Sequence, residues 1–218
     1  MDQRTEALVM RVRREITTWR EPQGWRNESD CALIDTIFST RAKYSTTVIP
    51  LVERWRSSVN RTGDGRLSSI LEVPLETFRT IVRNEQLVPG RSPLRMRKYR
   101  AVYEVAGTLV NRGWDTPDQI RLAASESREE LRNAFCSISG VGRAQFSYFL
   151  MLLGVQGVKA DTLVTAWVEK ATGATRLTQS EVEDLVQEAA QAIGVEPIIL
   201  DHNIWWLESV SRKRRFRR

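Results

Sequence analysis

Apolar residues recur at helical spacing along nearly the whole chain, and the alternation typical of strands is nearly absent. Spacings of three and four residues place apolar positions on one face of a helix, as for Leu8, Val12 and Ile16. The pattern therefore predicts an all-α bundle of short helices. Their expected bounds are near 4–19, 67–72, 75–83, 95–111, 117–123, 128–137, 143–153, 161–171, 179–192 and 197–211, with one more helix after Ser29 and Asp30 as caps and another from Pro50 to Trp55.

Length and hydropathy are those of a water-soluble globular protein. The 218 residues, 41% of them hydrophobic, suffice for one large domain or two small lobes. The longest apolar stretch, around Phe149 to Val155, is far shorter than the roughly 18 residues of a membrane span. Charged residues follow Met1 where a secretory signal would be apolar. We expect a cytoplasmic protein without a membrane partner.

Few residues are available for metal or nucleophilic chemistry. Cys31 and Cys136 belong to no C-x-x-C pair, and His202 is the only histidine. A disulfide framework, a zinc ribbon and a Ser-His-Asp triad are therefore disfavoured, and we expect no metal site. Carboxylates are left as the expected catalytic groups.

The positive charge is concentrated at the C-terminal end. The net charge is +6, and residues 212–218 carry six positive charges, so the rest of the chain has 27 basic and 27 acidic residues. Such a run attracts phosphates by counterion release, or it is a solvated, disordered tail without a function. A second basic region follows the breakers of residues 88–93, with Arg91, Arg95, Arg97, Lys98 and Arg100. It would line a DNA backbone or form a solvated helix face.

The segment Ile138–Gln145 carries the first candidate for function. Gly140 and Gly142 permit positive φ and leave backbone N–H groups unshielded directly before a helix. Those groups and the helix N-terminus form a seat for a phosphate, to which Arg143 adds charge. Taken alone, the glycines equally suit a hairpin that only reverses the chain direction.

Asp161 is the second candidate. It precedes an apolar, helically spaced run and on its own is read first as a helix cap.

Together the two elements resemble the helix-hairpin-helix glycosylase superfamily. Its hallmark is a Gly-Val-Gly hairpin, an apolar helix and an Asp-Thr pair opening the next helix, here Gly140-Val141-Gly142, the helix from Gln145 and Asp161-Thr162. Ser39–Ala42 and Val48–Arg54 resemble the early helix and turn of the endonuclease-III-like and mismatch-adenine branches, so the resemblance covers roughly residues 28–172. It implies a single fold over 1–211 in two helical lobes, with hairpin and catalytic aspartate within about 128–172.

The resemblance also implies roles for individual residues. Gly140, Val141, Gly142, Arg143 and Gln145 would bind the DNA strand while the target nucleotide is flipped into a cleft between the lobes. Asp161 would stabilise the positive charge developing on the sugar and orient the attacking water. Lys159 would contact phosphate. Hairpin carbonyls of relatives often hold a monovalent cation, which is an option here, and no cofactor is required.

Positions at which this chain departs from the family's residue pattern narrow the range of activities that the resemblance implies. Bifunctional members carry a Schiff-base lysine where this chain has Ala144, so a monofunctional hydrolase without AP-lyase activity is implied unless Lys159 substitutes. Residues 173–218 contain no cysteine for the relatives' iron–sulfur loop. Ile37 replaces the glutamate of the adenine-excising branch. Arg41 falls where relatives insert a polar side chain into the gap left by the flipped base, or it is a surface arginine.

We therefore expect a monomeric DNA glycosylase that acts on double-stranded DNA containing a modified base and leaves an abasic site. The base would be alkylated, oxidised or deaminated, or a hypermodified base of phage DNA, and the role would be repair or antiviral defence accordingly. The alternatives are a non-catalytic helix-hairpin-helix module that binds DNA and a helix-turn-helix regulator in which Asp161 is only a cap.

Overall fold

The computed structural model describes residues 2–90 and 95–215, with side chains up to residue 211. The predicted all-α fold is confirmed. The helices are α1 Gln3–Glu15, α2 Ser29–Ser39, α3 Ile49–Arg56, α4 Ser68–Leu71, α5 Leu75–Val82, α6 Lys98–Val110, α7 Pro117–Glu126, α8 Arg128–Phe135, α9 Arg143–Leu152, α10 Thr162–Thr172, α11 Gln179–Ile193 and α12 Pro197–Arg215. A π-helix, Tyr44–Val48, precedes α3.

The chain divides into two compact units. The hairpin unit is Gly24–Val155 and contains α2 to α9. The terminal unit combines Met1–Gln23 with Gln156–Arg218 and contains α1 and α10 to α12. Each unit has its own apolar core.

In the hairpin unit, α2 is the central helix. Ten of its eleven residues are buried, and it packs against α3, α6 and α9. Trp55 and Phe78 meet edge to face in this core, with ring centroids 5.3 Å apart. Arg61 forms an ion pair of 2.6 Å with the fully buried Asp30, which also accepts the indole N–H of Trp55. A buried charge requires such partners, so this cluster fixes the end of α3 against α2.

In the terminal unit, α1 packs on α10 and α11, and α12 packs on both of these. Local sequence signals set the helix ends. Thr178 and Glu181 form a capping box at the start of α11, and Gly173 and Gly194 end α10 and α11 at positive φ values of 71° and 76°.

Several predicted boundaries were wrong. The first helix ends at Glu15 instead of 19. Ser29 and Asp30 do not cap α2: Ser29 Oγ donates to two backbone carbonyls, and the Asp30 carboxylate is held in the buried cluster with Arg61. The last helix continues to Arg215, so the backbone of the first four residues of the basic tail is helical, whereas residues 216–218 lie outside the described residues.

Two features are absent from the described part of the chain. No helix there is long and apolar enough to cross a membrane. Within the same residues, no three His, Cys, Asp or Glu side chains are grouped as metal ligands would be.

Candidate functional site

The hairpin between α8 and α9 is a tight turn stabilised by its own backbone. The Val141 amide donates to the Ile138 carbonyl at 3.0 Å, and the Val141 side chain is buried. The Gly142 carbonyl accepts the amides of Gln145 and Phe146 and so begins α9. Gly142 and Arg143 are exposed at the start of this helix, where unpaired amides and the helix dipole favour an anion.

The two hairpin glycines differ in whether the backbone and its surroundings would tolerate a side chain. Gly140 has φ +83°, and a Cβ there would lie 2.8 Å from the Pro89 carbonyl oxygen. Gly142 has φ −128°, and a Cβ there would meet nothing within 4 Å. Both glycines permit positive φ, but only Gly140 adopts it. Neither backbone strain nor protein packing requires Gly142.

Gln145 closes the hairpin with a side-chain cap. Its Oε1 accepts the Gly142 amide at 2.8 Å, and its Nε2 is buried without a hydrogen-bond partner among the described residues. A buried donor without a partner costs about 1–3 kcal/mol. The hairpin thus holds an unsatisfied amide donor that is shielded from solvent.

Lys98, at the start of α6, connects that helix to the end of α2. Its side chain is 2% exposed, and Nζ donates to the carbonyls of Phe38 and Thr40 at 3.1 and 2.6 Å and to Gln86 Oε1 at 3.0 Å. Burial lowers the pKa of Lys98 to about 8. The proposed DNA contact of Lys98 is therefore wrong, because its ammonium stabilises the interior.

The other residues of the predicted basic region are only partly available to contact DNA, because some of them pair with carboxylates. Arg97 pairs with Glu85 and Arg100 with Glu104, both at exposed positions. Gly90 lies next to Arg95, whose side chain would be 3.6 Å from a Cβ at Gly90. Arg91 lies outside the described residues.

Arg41 follows α2 and is exposed, with φ +55°. A non-glycine residue in this region is strained and is held only where its surroundings fix it. The Thr40 carbonyl bound by Lys98 provides such a constraint at the preceding residue. The insertion role of Arg41 stays a prediction.

A buried carboxylate, Asp35, lies on α2 next to the fully buried Ile37. Its oxygens accept Trp25 Nε1, Ser39 Oγ, Tyr44 Oη and Tyr148 Oη at 2.8–3.1 Å. Four donors occupy its acceptor sites, so this network stabilises the core around the π-helix. Burial and the charge of Asp35 raise the pKa of both tyrosines.

Asp161 lies in the terminal unit as the N-cap of α10. Its Oδ1 accepts the amides of Leu163 and Val164 at 2.8 and 3.0 Å. Oδ2 receives no hydrogen bond from the residues that the structure describes, and the side chain is half-buried. The cap therefore fixes the carboxylate and leaves one oxygen free for chemistry.

The turn that precedes Asp161 is held from α12. The Lys159 amide donates to Asp201 Oδ1 at 3.0 Å, and Asp201 is 4% exposed. Ala160, which lies between Lys159 and the capping Asp161, has φ +43°. Burial raises the pKa of Asp201 to about 7; the charge of Asp161 also raises it, whereas the amide and ammonium of Lys159 lower it.

The predicted site residues thus fall in both units: the hairpin residues and Arg41 in the hairpin unit, and Lys159 and Asp161 in the terminal unit. Sequence reasoning missed Asp201 and the buried, structural role of Lys98. Both lie on the apolar stripe of their helices, Asp201 three residues from Ile198 and Ile204, and Lys98 three and seven residues before Ala101 and Val105. A lone charge on a buried stripe is the signal that reveals such residues.

The fold is the all-helical fold of endonuclease III. One solved structure, "Structure of a Trapped Endonuclease III-DNA Covalent Intermediate: Estranged-Adenine Complex", matches 91% of this chain and 85% of that chain with a TM-score of 0.57 at 17% identity. The chain belongs to the family described as "Domain of unknown function (DUF8548)", whose model matches residues 3–209.

A curated relative shows a more distant similarity in sequence. The 8-oxoguanine DNA glycosylase/AP lyase of Thermoplasma volcanium is 27% identical over 126 residues, which are 55% of this chain and 61% of that protein. The chain thus spans less than two thirds of this relative. The structural match thus shows the fold, and the weak similarity in sequence is to a DNA glycosylase.

Proposed function

We propose that the chain is a monofunctional DNA glycosylase that hydrolyses the bond between a modified base and its sugar in double-stranded DNA. One observation carries the proposal: Asp161 uses one oxygen to cap α10 and keeps Oδ2 free. The amides of Leu163 and Val164 hold Oδ1 at the helix N-terminus at 2.8 and 3.0 Å. A carboxylate held in this way is suited to stabilise positive charge that develops on a substrate.

The chemistry follows from that role. The bond between C1′ and the base nitrogen breaks, its electron pair leaves with the base, and the sugar becomes an oxocarbenium-like cation. Asp161 stabilises this cation and orients the water whose oxygen bonds to C1′. The water loses one proton and the departing base gains one, so the products are a free base and an abasic site. Preorganised electrostatic stabilisation of this kind is worth several kcal/mol.

The hairpin would bind the strand through a backbone phosphate. The exposed Gly142 and the exposed Arg143 favour an anion at the start of α9. The Ile138 carbonyl accepts one amide, that of Val141 at 3.0 Å, which leaves one lone pair for a cation, whereas the Gly142 carbonyl already accepts two amides. A monovalent cation held there would add positive charge beside the phosphate.

The substrate and the absence of strand cleavage are part of the proposal. The relative from Thermoplasma volcanium is named as an 8-oxoguanine glycosylase and lyase, so 8-oxoguanine is the first base to test. A deaminated, an alkylated and a hypermodified phage-type base complete the panel, the last indicating a role in defence. Ala144 offers no amine for the lyase reaction.

The test is base release from duplexes that each contain one of these bases. On a substrate that the wild type processes, Asp161→Asn should lower single-turnover release by at least ~10²-fold. Asparagine caps a helix about as well as aspartate, so stability should change by less than ~1 kcal/mol and DNA binding should persist.

Asp184→Asn is the matched control. It removes one negative charge from an exposed position on α11, and release should stay at the wild-type rate. Wild-type release by a folded Asp161→Asn protein would exclude the mechanism. Binding of every duplex without base release by the wild type would favour the non-catalytic module.

A further inference from the structure

Asp201 is a carboxylate buried in an otherwise apolar part of the terminal unit. It lies on the face of α12 that also carries the buried Ile198 and Ile204. Placing a carboxylate there is unfavourable unless hydrogen bonds compensate. Its Oδ1 accepts the Lys159 amide at 3.0 Å, so its bond is made to the turn before α10 and not to its own helix.

The turn needs an external constraint. Ala160 is in the left-handed region at φ +43°, which a residue with a Cβ adopts only when its surroundings hold it. Ala160 is also buried among the apolar residues of this unit. A relaxed Ala160 would rotate the backbone that enters Asp161, whose cap geometry depends on that direction.

The two carboxylates also act on each other through their charges. The charge of Asp161 contributes to raising the pKa of Asp201, after burial as the main cause, and the Lys159 amide and ammonium oppose the change. The charged side chains that act on Asp201 from this turn are therefore Asp161 and Lys159. Both are residues that the sequence had singled out.

We propose that Asp201 is a positioning residue for Asp161: by binding the Lys159 amide it fixes the turn of residues 159–161 and thereby directs the Asp161 carboxylate. The consequence for base release rests on the glycosylase function proposed above. The consequence for the turn itself does not, because it follows from the hydrogen bonds at both ends of the turn.

Amide hydrogen exchange tests the positioning without any substrate. Asp201→Leu removes the acceptor, and the amides of Leu163 and Val164, which Asp161 caps, should then exchange at least ~10-fold faster. Asp201→Asn keeps an oxygen acceptor and should restore their protection. Glu208→Gln is the control, because it alters another buried carboxylate of α12 that pairs with Lys170 at 3.1 Å.

A general loosening of α12 would accelerate exchange in the Glu208→Gln protein as well. Unchanged protection of Leu163 and Val164 in a folded Asp201→Leu protein, or equal acceleration by Glu208→Gln, would overturn the proposal. Asp201→Ala removes the same acceptor without added bulk and is measured in the same way if the leucine variant does not fold.

Kinetics give a second, separate readout. On a panel duplex that the wild type processes, Asp201→Leu should lower single-turnover release by at least ~10-fold with the Kd for DNA unchanged. Asp201→Asn keeps an oxygen acceptor for the Lys159 amide and should retain the wild-type rate.

A wild-type rate of base release in a folded Asp201→Leu protein would overturn the positioning. If neither acceptor-free variant folds, faster exchange of the Leu163 and Val164 amides in Asp201→Asn, which keeps the acceptor, would overturn it. A wild type that releases no base would refute the glycosylase function while the exchange rates still decide the positioning.

Discussion

Gly140 lies directly against Val88, so that the hairpin between α8 and α9 rests on the segment that precedes α6. A Cβ on Gly140 would lie 2.8 Å from the Cβ of Val88 and equally close to the Pro89 carbonyl oxygen. The Val88 amide in turn donates to the Met96 carbonyl at 2.9 Å. The hairpin conformation is therefore fixed by neighbours distant in sequence as well as by its own turn.

Gly140→Ala should mainly lower the stability of the protein, whereas Gly142→Ala should mainly lower its affinity for DNA. Gly140→Ala should destabilise the protein by more than ~2 kcal/mol, because positive φ and backbone overlap act together. Gly142→Ala should cost less than ~1 kcal/mol, since a Cβ meets no protein atom there. If a phosphate approaches this backbone, Gly142→Ala should still raise the Kd for duplex DNA at least ~5-fold, about 1 kcal/mol.

Urea unfolding and a binding titration on the same samples make this comparison. Equal affinity of wild type and Gly142→Ala would mean that the hairpin backbone does not approach the phosphate. A stable Gly140→Ala protein would contradict the packing argument.

The sequence predicted the helices more completely than it predicted the contacts that hold the candidate site residues in place. Helical periodicity and breakers located all twelve α-helices of the described residues, because these signals are local. The π-helix before α3 and the buried role of Lys98 depend on contacts with distant segments, and no local spacing encodes them. Asp161 was predicted from its motif, whereas its support by Asp201 joins positions 40 residues apart in another helix and becomes visible only in the structure.

Strand cleavage should be absent after base removal. With Ala144 at the family's lysine position, borohydride should trap no covalent adduct between the wild type and a processed duplex. Ala144→Lys places an amine at that position and should yield a trapped complex. A strong adduct with the wild type would contradict the prediction, and Lys159→Met would then show whether Lys159 is the nucleophile.

The basic tail should contribute affinity but no sequence preference. Removing residues 212–218 should weaken binding to all duplexes similarly and reduce the salt slope by roughly 0.9 for each lost phosphate contact. Removing only residues 216–218 leaves the whole of α12 in place and serves as the milder variant. A slope unchanged by both deletions would show that the tail is solvated and has no part in binding.

Stability should depend on pH through Asp201. Its pKa is about 7 in the folded protein against an ordinary value of 3.8, so the folded state holds this proton over a pH range in which the unfolded chain has released it. Stability from this group is complete below about pH 4 and declines as the pH rises to about 7. Each pKa unit corresponds to about 1.4 kcal/mol, which makes the decline on the order of a few kcal/mol.

Asp201→Asn lacks the titrating group but keeps an acceptor for the Lys159 amide. The free energy of unfolding of the wild type minus that of Asp201→Asn should therefore fall between about pH 4 and about pH 7 and then stay constant, because the other titrations are common to both proteins. Urea unfolding at intervals across this range measures the difference. The same subtraction with the exposed Asp184→Asn should give a flat line. A flat line for Asp201→Asn as well would show that the buried carboxylate titrates like an exposed one, and the electrostatic link between Asp201 and Asp161 would then be lost.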